Sequence, residues 1–176
     1  MGATPRRSHR RGRSLRVTLN FHPDRVTGGR SVLQHLAADG VYRGQFETGT
    51  SSGGLTAYPG GDRWLWEQRI FGGAYDDAPA SERPKYGALN HRQRRIGGAP
   101  RFGSAHLRLR EHMLDRTTFC FPDSVLQPTD FGTADRFDLI RLADRFDEVE
   151  RSESDERALL GVLDDYIEAT SMASCA

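Results

Sequence analysis

His22-Pro23-Asp24-Arg25 sets an imidazole, a carboxylate and a guanidinium almost side by side, and Thr27-Gly28-Gly29 comes directly after. Three such groups can converge on one polar ligand: the imidazole and carboxylate can move protons, and the guanidinium can hold an anion. The plainer alternative is a local Asp24–Arg25 pair with His22 filling a core edge. Metal binding ranks below both, because no second histidine stands at ligand spacing.

A second constellation is the run from Gly40 to Gly61, which places seven of the chain's 19 glycines within 22 residues, interleaved with Tyr42, Arg43, Glu47, Thr48 and Ser51. Glycine lets a backbone take positive φ and approach a ligand closely, so the run suggests a chain folded around something that is not protein. Within it, Gly49-Thr50-Ser51-Ser52-Gly53 has the Gly-x-Ser-x-Gly spacing of a hydrolase nucleophile elbow. That elbow needs an apolar strand before it and a helix straight after, whereas Gln45-Phe46-Glu47-Thr48 is polar and Pro59 interrupts the stretch from Leu55 to Gly61. Neither Gly-x-Gly-x-x-Gly nor a phosphate-loop lysine occurs, which leaves cradling by polar backbone. Lys85-Tyr86-Gly87-Ala88 and Arg101-Phe102-Gly103-Ser104 each put an aromatic, a glycine and a small residue on an expected strand. Either aromatic alone reads as core packing; beside glycine it also suits stacking on a planar ring.

These residues need elements to hold them. Val17, Leu19 and Phe21 alternate with Thr18 and Asn20, the period of a half-buried strand that stops at His22-Pro23. Ser31 can cap a short helix carrying Val32, Leu33, Leu36 and Ala37, closed by Gly40. Asp62 can cap a helix through Trp64, Leu65, Trp66, Ile70 and Phe71, with core tryptophans and a Gly72-Gly73 stop. Strands are expected at Lys85 to Asn90, Ala105 to Arg110 and Thr117 to Phe121, with Gly97-Gly98 and Pro100 turning between the first two and His91 to Arg95 a solvated basic loop. Thr133 can cap a helix through Phe137, Ile140 and Leu142 to Phe146. After it come a charged break at Glu150 to Arg157, a second helix at Ala158 to Leu163 and a short strand around Tyr166-Ile167-Glu168-Ala169. Helices mixed with short, unevenly spaced strands predict an α+β fold. The expected organisation is a disordered basic tail over 1–14, one domain over 15–169, and an unstructured tail over 170–176.

Composition limits the classes of function. A chain of 176 residues suits one domain, and 36% apolar against 28% charged residues with a mean hydropathy of -0.64 describes a polar but foldable sequence. Residues 1 to 30 hold eight arginines against Asp24 alone, while Asp130 to Glu168 holds 13 acids against five arginines. Arginine dominates throughout, with Lys85 the single lysine, so the basic start reflects coding bias and argues against nucleic acid as a partner. No apolar stretch comes after Arg6-Arg7, and no window reaches the ~18 apolar residues of a membrane span. The expectation is a cytoplasmic protein, or one exported without a signal peptide, with no membrane partner. Cys120 in an apolar run and Cys175 near the terminus make neither a zinc pattern nor a disulfide framework.

The segments Val17 to Arg25, Tyr42 to Gly49, Gly53 to Ala57, Glu82 to Asn90 and Pro100 to Ser104 together resemble the DUF3626 family, over roughly residues 15 to 169. That family is similar to bacterial mono-ADP-ribosyltransferases, including effectors that modify a threonine of ubiquitin. The resemblance implies an ADP-ribosyltransferase-like α+β fold, a split pair of small antiparallel sheets with flanking helices and NAD in the cleft between them. It implies transfer of ADP-ribose from NAD, the co-substrate, to a hydroxyl side chain of an acceptor protein, a ubiquitin-like target among the candidates.

On that resemblance, Glu168 holds the ribose 2′-hydroxyl and stabilises an oxocarbenium-like state, with Asp24 as the second catalytic carboxylate. His22 and Arg25 reach carboxamide or phosphate. Thr48, Gly49 and Ser51 supply hydroxyl and backbone contacts, Tyr86 and Phe102 flank the rings, and Arg101, Gly103 and Ser104 belong to the same cofactor-binding set. No metal is implied. One departure stands out: the family continues its last strand as Glu-Ala-Gln-Val-His-Gly, whereas Thr170-Ser171-Met172 comes after Ala169 here. The strand is therefore expected to be cut short, with Thr170 where a residue orienting the acceptor belongs, and the alternative is a C-terminally truncated, inactive NAD-binding or structural module.

Overall fold

A computed structural model of the chain describes residues 15–50, 56–126, 128–134, 140–141 and 167–171. Strand β1, Val17–Phe21, forms where the alternation predicts it, with Val17, Leu19 and Phe21 all buried. Beyond Pro23 comes a hairpin that has no counterpart among the expected elements, β2 at Val26–Thr27 and β3 at Arg30–Ser31. Its turn is Gly28-Gly29 with φ of +58° and +80°, the doubly left-handed geometry that joins two strands through two residues.

Helix α1, Val32–Asp39, has the expected caps: Gln34 N donates to Ser31 Oγ, Ser31 N donates to Gln34 Oε1, and Gly40 closes the helix. The glycine run is not wholly irregular, since a four-residue helix α2, Gln45–Thr48, sits between Gly44 and Gly49. Helix α3, Asp62–Phe71, is capped by Gly61 rather than Asp62. A side chain at 61 would place its Cβ 2.3 Å from the Thr56 carbonyl oxygen, so only glycine fits the cap. Asp62 becomes the first helical residue, where its charge still complements the dipole. Trp66 is buried as expected and Trp64 is half-buried.

Five more strands complete the order: β4 Lys85–Leu89, β5 Ala105–Arg108, β6 Thr117–Phe121, β7 Asp130–Thr133 and β8 Ile167–Ser171. Two corrections arise here. Strand β7, which has no counterpart among the expected elements, ends at Thr133, paired with Thr118 of β6. The segment Asp130–Thr133 has little local strand signal and is extended because β6 offers it a partner. The helix expected beyond it falls outside the described residues except for Ile140 and Arg141, which are helical. The second correction is that β8 does not stop at Ala169: Thr170 pairs with Tyr86 and Thr118, and Ser171 with Lys85 and Thr117. Strands on both sides satisfy the backbone groups of these residues, which outweighs their weak sequence signal. The expected helix at Ala158 to Leu163 and the tails lie outside the described residues.

The six longer strands make one antiparallel sheet in the order β5-β1-β4-β8-β6-β7, beside the β2-β3 ribbon, and the fold is α+β. It is a continuous sheet, since β8 bridges β4 and β6. Pairing between β1 and β4 covers only Val17↔Leu89 and Thr18↔Ala88. Past Thr18, Asn20 turns to the loop instead, its Nδ2 donating to Ile96 O at 2.8 Å and Gly103 O at 3.0 Å. The core lies where Val17, Leu89, Phe119 and Phe121 cluster, with Leu15, Leu109, Leu114 and Ile140 packed against them. Among the described residues, no helix is long and apolar enough to cross a membrane.

Candidate functional site

A cleft of about 520 Å³ opens where β1 and β4 part. The sheet supplies Thr18, Asn20, Tyr86 and Ala88, α1 supplies His35 and Asp39, and the glycine run supplies Tyr42, Glu47 and Thr48. Arg63 of α3 and Phe102 complete the wall. The floor is tightly tied: Gly98 N donates to Thr18 Oγ1 at 2.8 Å, and Ala88, Ala99 and Phe102 form a small apolar cluster. The volume falls within the range of about 300–1,000 Å³ common to small-molecule sites.

Of the residues singled out from sequence, the structure brings His22, Arg25, Thr48, Tyr86 and Phe102 to this cleft. Asp24 does not line it; the residue is exposed in the turn between β1 and β2. Gly49 closes α2 at φ +61° and lies off the wall, and Ser51 falls outside the described residues. The residues before Gly49 are helical, which removes the strand that a nucleophile elbow requires.

The stretch expected as a strand at Arg101 to Ser104 begins as a tight helical turn, Pro100–Phe102. Arg101 points to Asp123, 3.2 Å away, and Ser104 is exposed outside the cleft. Gly103 does not line the cleft and packs against the end of β1. At φ +141° it lies so close to β1 that a Cβ there would stand 2.0 Å from the Phe21 carbonyl.

Glu168 stands on β8 opposite Ala88 on one side and Cys120 on the other. The row of register positions across the sheet is thus Thr18, Ala88, Glu168, Cys120, and its first two members line the cleft.

Three charged groups, Glu47 and Arg63 on the cleft and Glu67 behind it, were given no site role from sequence. Glu47 on α2 accepts hydrogen bonds from Lys85 Nζ and Gly44 N. Burial pushes its carboxyl up, but the Lys85 ammonium, the Gly44 N–H and Arg43 outweigh that and hold it below the usual carboxylate value. Glu67 on α3 is buried behind Tyr86, whose hydroxyl donates to Glu67 Oε1, while Arg83 Nη1 donates to Oε2 at 2.5 Å. Burial raises the Glu67 carboxyl above its ordinary value despite those contacts. The guanidinium of Arg63 lies 4.2 Å from the Tyr86 ring centroid and donates to Ser124 Oγ at 2.8 Å. Burial also raises the phenol of Tyr42. Among the described residues, no group of three or more His, Cys, Asp or Glu side chains could hold a metal ion.

What this arrangement can do is hold a polar ligand with a planar ring. Tyr86, Phe102 and Tyr42 offer ring faces or edges, and Arg25, Arg43 and Arg63 offer positive charge for an anionic group. A family model described as "Protein of unknown function (DUF3626)" matches residues 16–153, a span that contains every described cleft-lining residue and ends before β8. No curated protein matches the chain.

Proposed function

The chain belongs to the DUF3626 family, and from that footing we propose that it is an NAD-dependent mono-ADP-ribosyltransferase acting on a protein hydroxyl side chain. In this reading the cleft takes NAD as co-substrate. The bond from ribose C1′ to the nicotinamide nitrogen breaks with its electron pair going to nicotinamide, and a new bond forms from C1′ to the acceptor oxygen. The acceptor's proton passes to a carboxylate or to water. A carboxylate beside the ribose stabilises the oxocarbenium-like state between these events.

The observation that carries the reading is the register of β8, which places Glu168 beside Ala88 of the cleft floor. Glu168 is the carboxylate proposed for the ribose. Asp24 is proposed as the second, at the rim next to His22 and Arg25, both of which line the cleft. The ring walls at Tyr86 and Phe102 and the cluster of arginines support a ligand that joins planar rings to phosphates. The proposed architecture is correspondingly transferase-like, with NAD lodged where β1 and β4 diverge.

A second reading, an NAD-binding or structural module without transfer, has one observation in its favour. Thr170 occupies the register position opposite Tyr86, two residues after the glutamate, where the resemblance places a residue that orients the acceptor. Incubating the protein with NAD labelled in its adenylate and a lysate separates the two. The first reading expects label on an acceptor protein, removed by chemistry that cleaves hydroxyl-linked ADP-ribose. NAD binding with no labelled protein selects the second.

A further inference from the structure

We propose that Glu67 is a positioning residue that fixes Tyr86 and Arg63 as the ring-binding wall of the cleft. The inference rests on the dinucleotide reading above and deepens it by naming the group that receives a planar ring.

Glu67 is 1% exposed, and each of its carboxylate oxygens has its own partner. Oε2 faces Arg83, a buried counter-charge at 2.5 Å. Oε1 accepts from the hydroxyl of Tyr86, whose ring lines the cleft while Glu67 itself does not. Arg63 stands one helical turn before Glu67 on α3 and lays its guanidinium 4.2 Å from the Tyr86 ring centroid, with Ser124 Oγ fixing its far end. The carboxylate therefore anchors Tyr86 directly, and Arg63 through the ring that the guanidinium lies over.

Packing alone does not account for an acid here. Taking a carboxylate out of water is costly, and the buried Arg83 accounts for one of its two oxygens, since an apolar side chain at 67 would leave that guanidinium without its charged partner. Trp66 already packs against Tyr86, with ring centroids 5.8 Å apart. What the second oxygen adds is direction: a tether at the hydroxyl stops the Tyr86 ring from swinging about its first side-chain torsion, while Arg63 and Trp66 beside the ring limit its turn about the second. A planar cation beside a fixed ring suits a heteroaromatic ring that carries a phosphate nearby, the chemistry of a nucleotide.

The test measures the affinity of the intact chain for the carbocyclic, non-cleavable analogue of NAD by calorimetry, in a double-mutant cycle of Tyr86→Phe and Glu67→Gln. Tyr86→Phe keeps the ring and removes only the tether. Expected is a rise in Kd of about three- to tenfold for each variant, with the double variant no weaker than the weaker single one, because both remove the same constraint. Urea midpoints measured in parallel separate this from simple loss of fold. Unchanged Kd values, or losses that multiply in the double variant, overturn the positioning role while leaving the dinucleotide reading in place. Failure of the wild-type protein to bind the analogue overturns both. Should Glu67→Gln not fold, Tyr86→Phe decides alone, and an unchanged Kd for that variant overturns the inference.

Discussion

The single lysine of the chain, Lys85, donates its ammonium hydrogen to Oε2 of Glu47, and the two side chains are only 8% and 11% exposed. This pair joins α2, in the middle of the glycine run, to β4 next to Tyr86. It is the bond that holds one wall of the cleft against the sheet. Leaving either charge buried without its partner is strongly unfavourable, so Lys85→Ala is expected to lose about 3 kcal/mol or more. Replacing both residues, Lys85→Met with Glu47→Leu, should recover most of that loss. Urea unfolding of the three proteins checks it; equal stability of Lys85→Ala and wild type would show that the pair holds nothing.

The carboxyls of Glu47 and Glu67 are shifted in opposite directions. Glu47 is held below its unfolded value, so its contribution is present above the ordinary carboxylate range and is lost as pH falls through the folded value. Glu67 is raised, so its contribution is full below the unfolded value and is lost as pH rises through the folded one. Urea midpoints followed from about pH 7 to about pH 3 should therefore fall less steeply on the acid side in Glu47→Gln. In Glu67→Gln the difference from wild type should change above the ordinary carboxylate range instead.

Gly103 makes a purely structural prediction. Its φ of +141° and the 2.0 Å approach of a would-be Cβ to the Phe21 carbonyl leave no room for alanine. Gly103→Ala is expected to cost about 2 kcal/mol or more and to disturb the end of β1 that carries His22. Thermal unfolding measures the first effect and ligand affinity the second.

Much of this fold can be read locally. Strand β1 and strand β6 have their own period-2 or β-rich signal, and α1 carries both of its caps in sequence. The elements that escaped are those whose shape comes from partners: β7 is extended because β6 lies beside it, and Thr170 and Ser171 are extended because β4 and β6 flank them. The same division holds at the cleft. His22, Arg25, Tyr86 and Phe102 stand out by residue type, whereas Arg63 and Glu67 look like the solvated charges of an ordinary helix. One signal could have found Glu67. It lies between Trp64 and Phe71 at spacings of three and four, on an apolar stripe where a charge needs a partner.

Ligand entry should be visible without a label. Trp66 packs on Tyr86 and lies 5.5 Å from the Arg63 guanidinium, so a ring placed against that wall should change its emission. Titrating NAD into the wild type is expected to give a saturable fluorescence change that is lost in Trp66→Phe, with Trp64 remaining as a silent control. A change that survives in Trp66→Phe would place the ligand elsewhere.

The register of Glu168 beside Ala88 gives the most direct test. Nicotinamide release from NAD is measured for the wild type, Glu168→Ala and Asp24→Ala, with circular dichroism confirming that each is folded. The expected result is release by the wild type and a loss of at least about a hundredfold in Glu168→Ala, the size expected when the group stabilising a developing charge is removed. Asp24→Ala should show a smaller loss. Release that is undiminished in folded Glu168→Ala, or absent from the wild type, would contradict the assignment of this cleft as a site of ADP-ribose transfer.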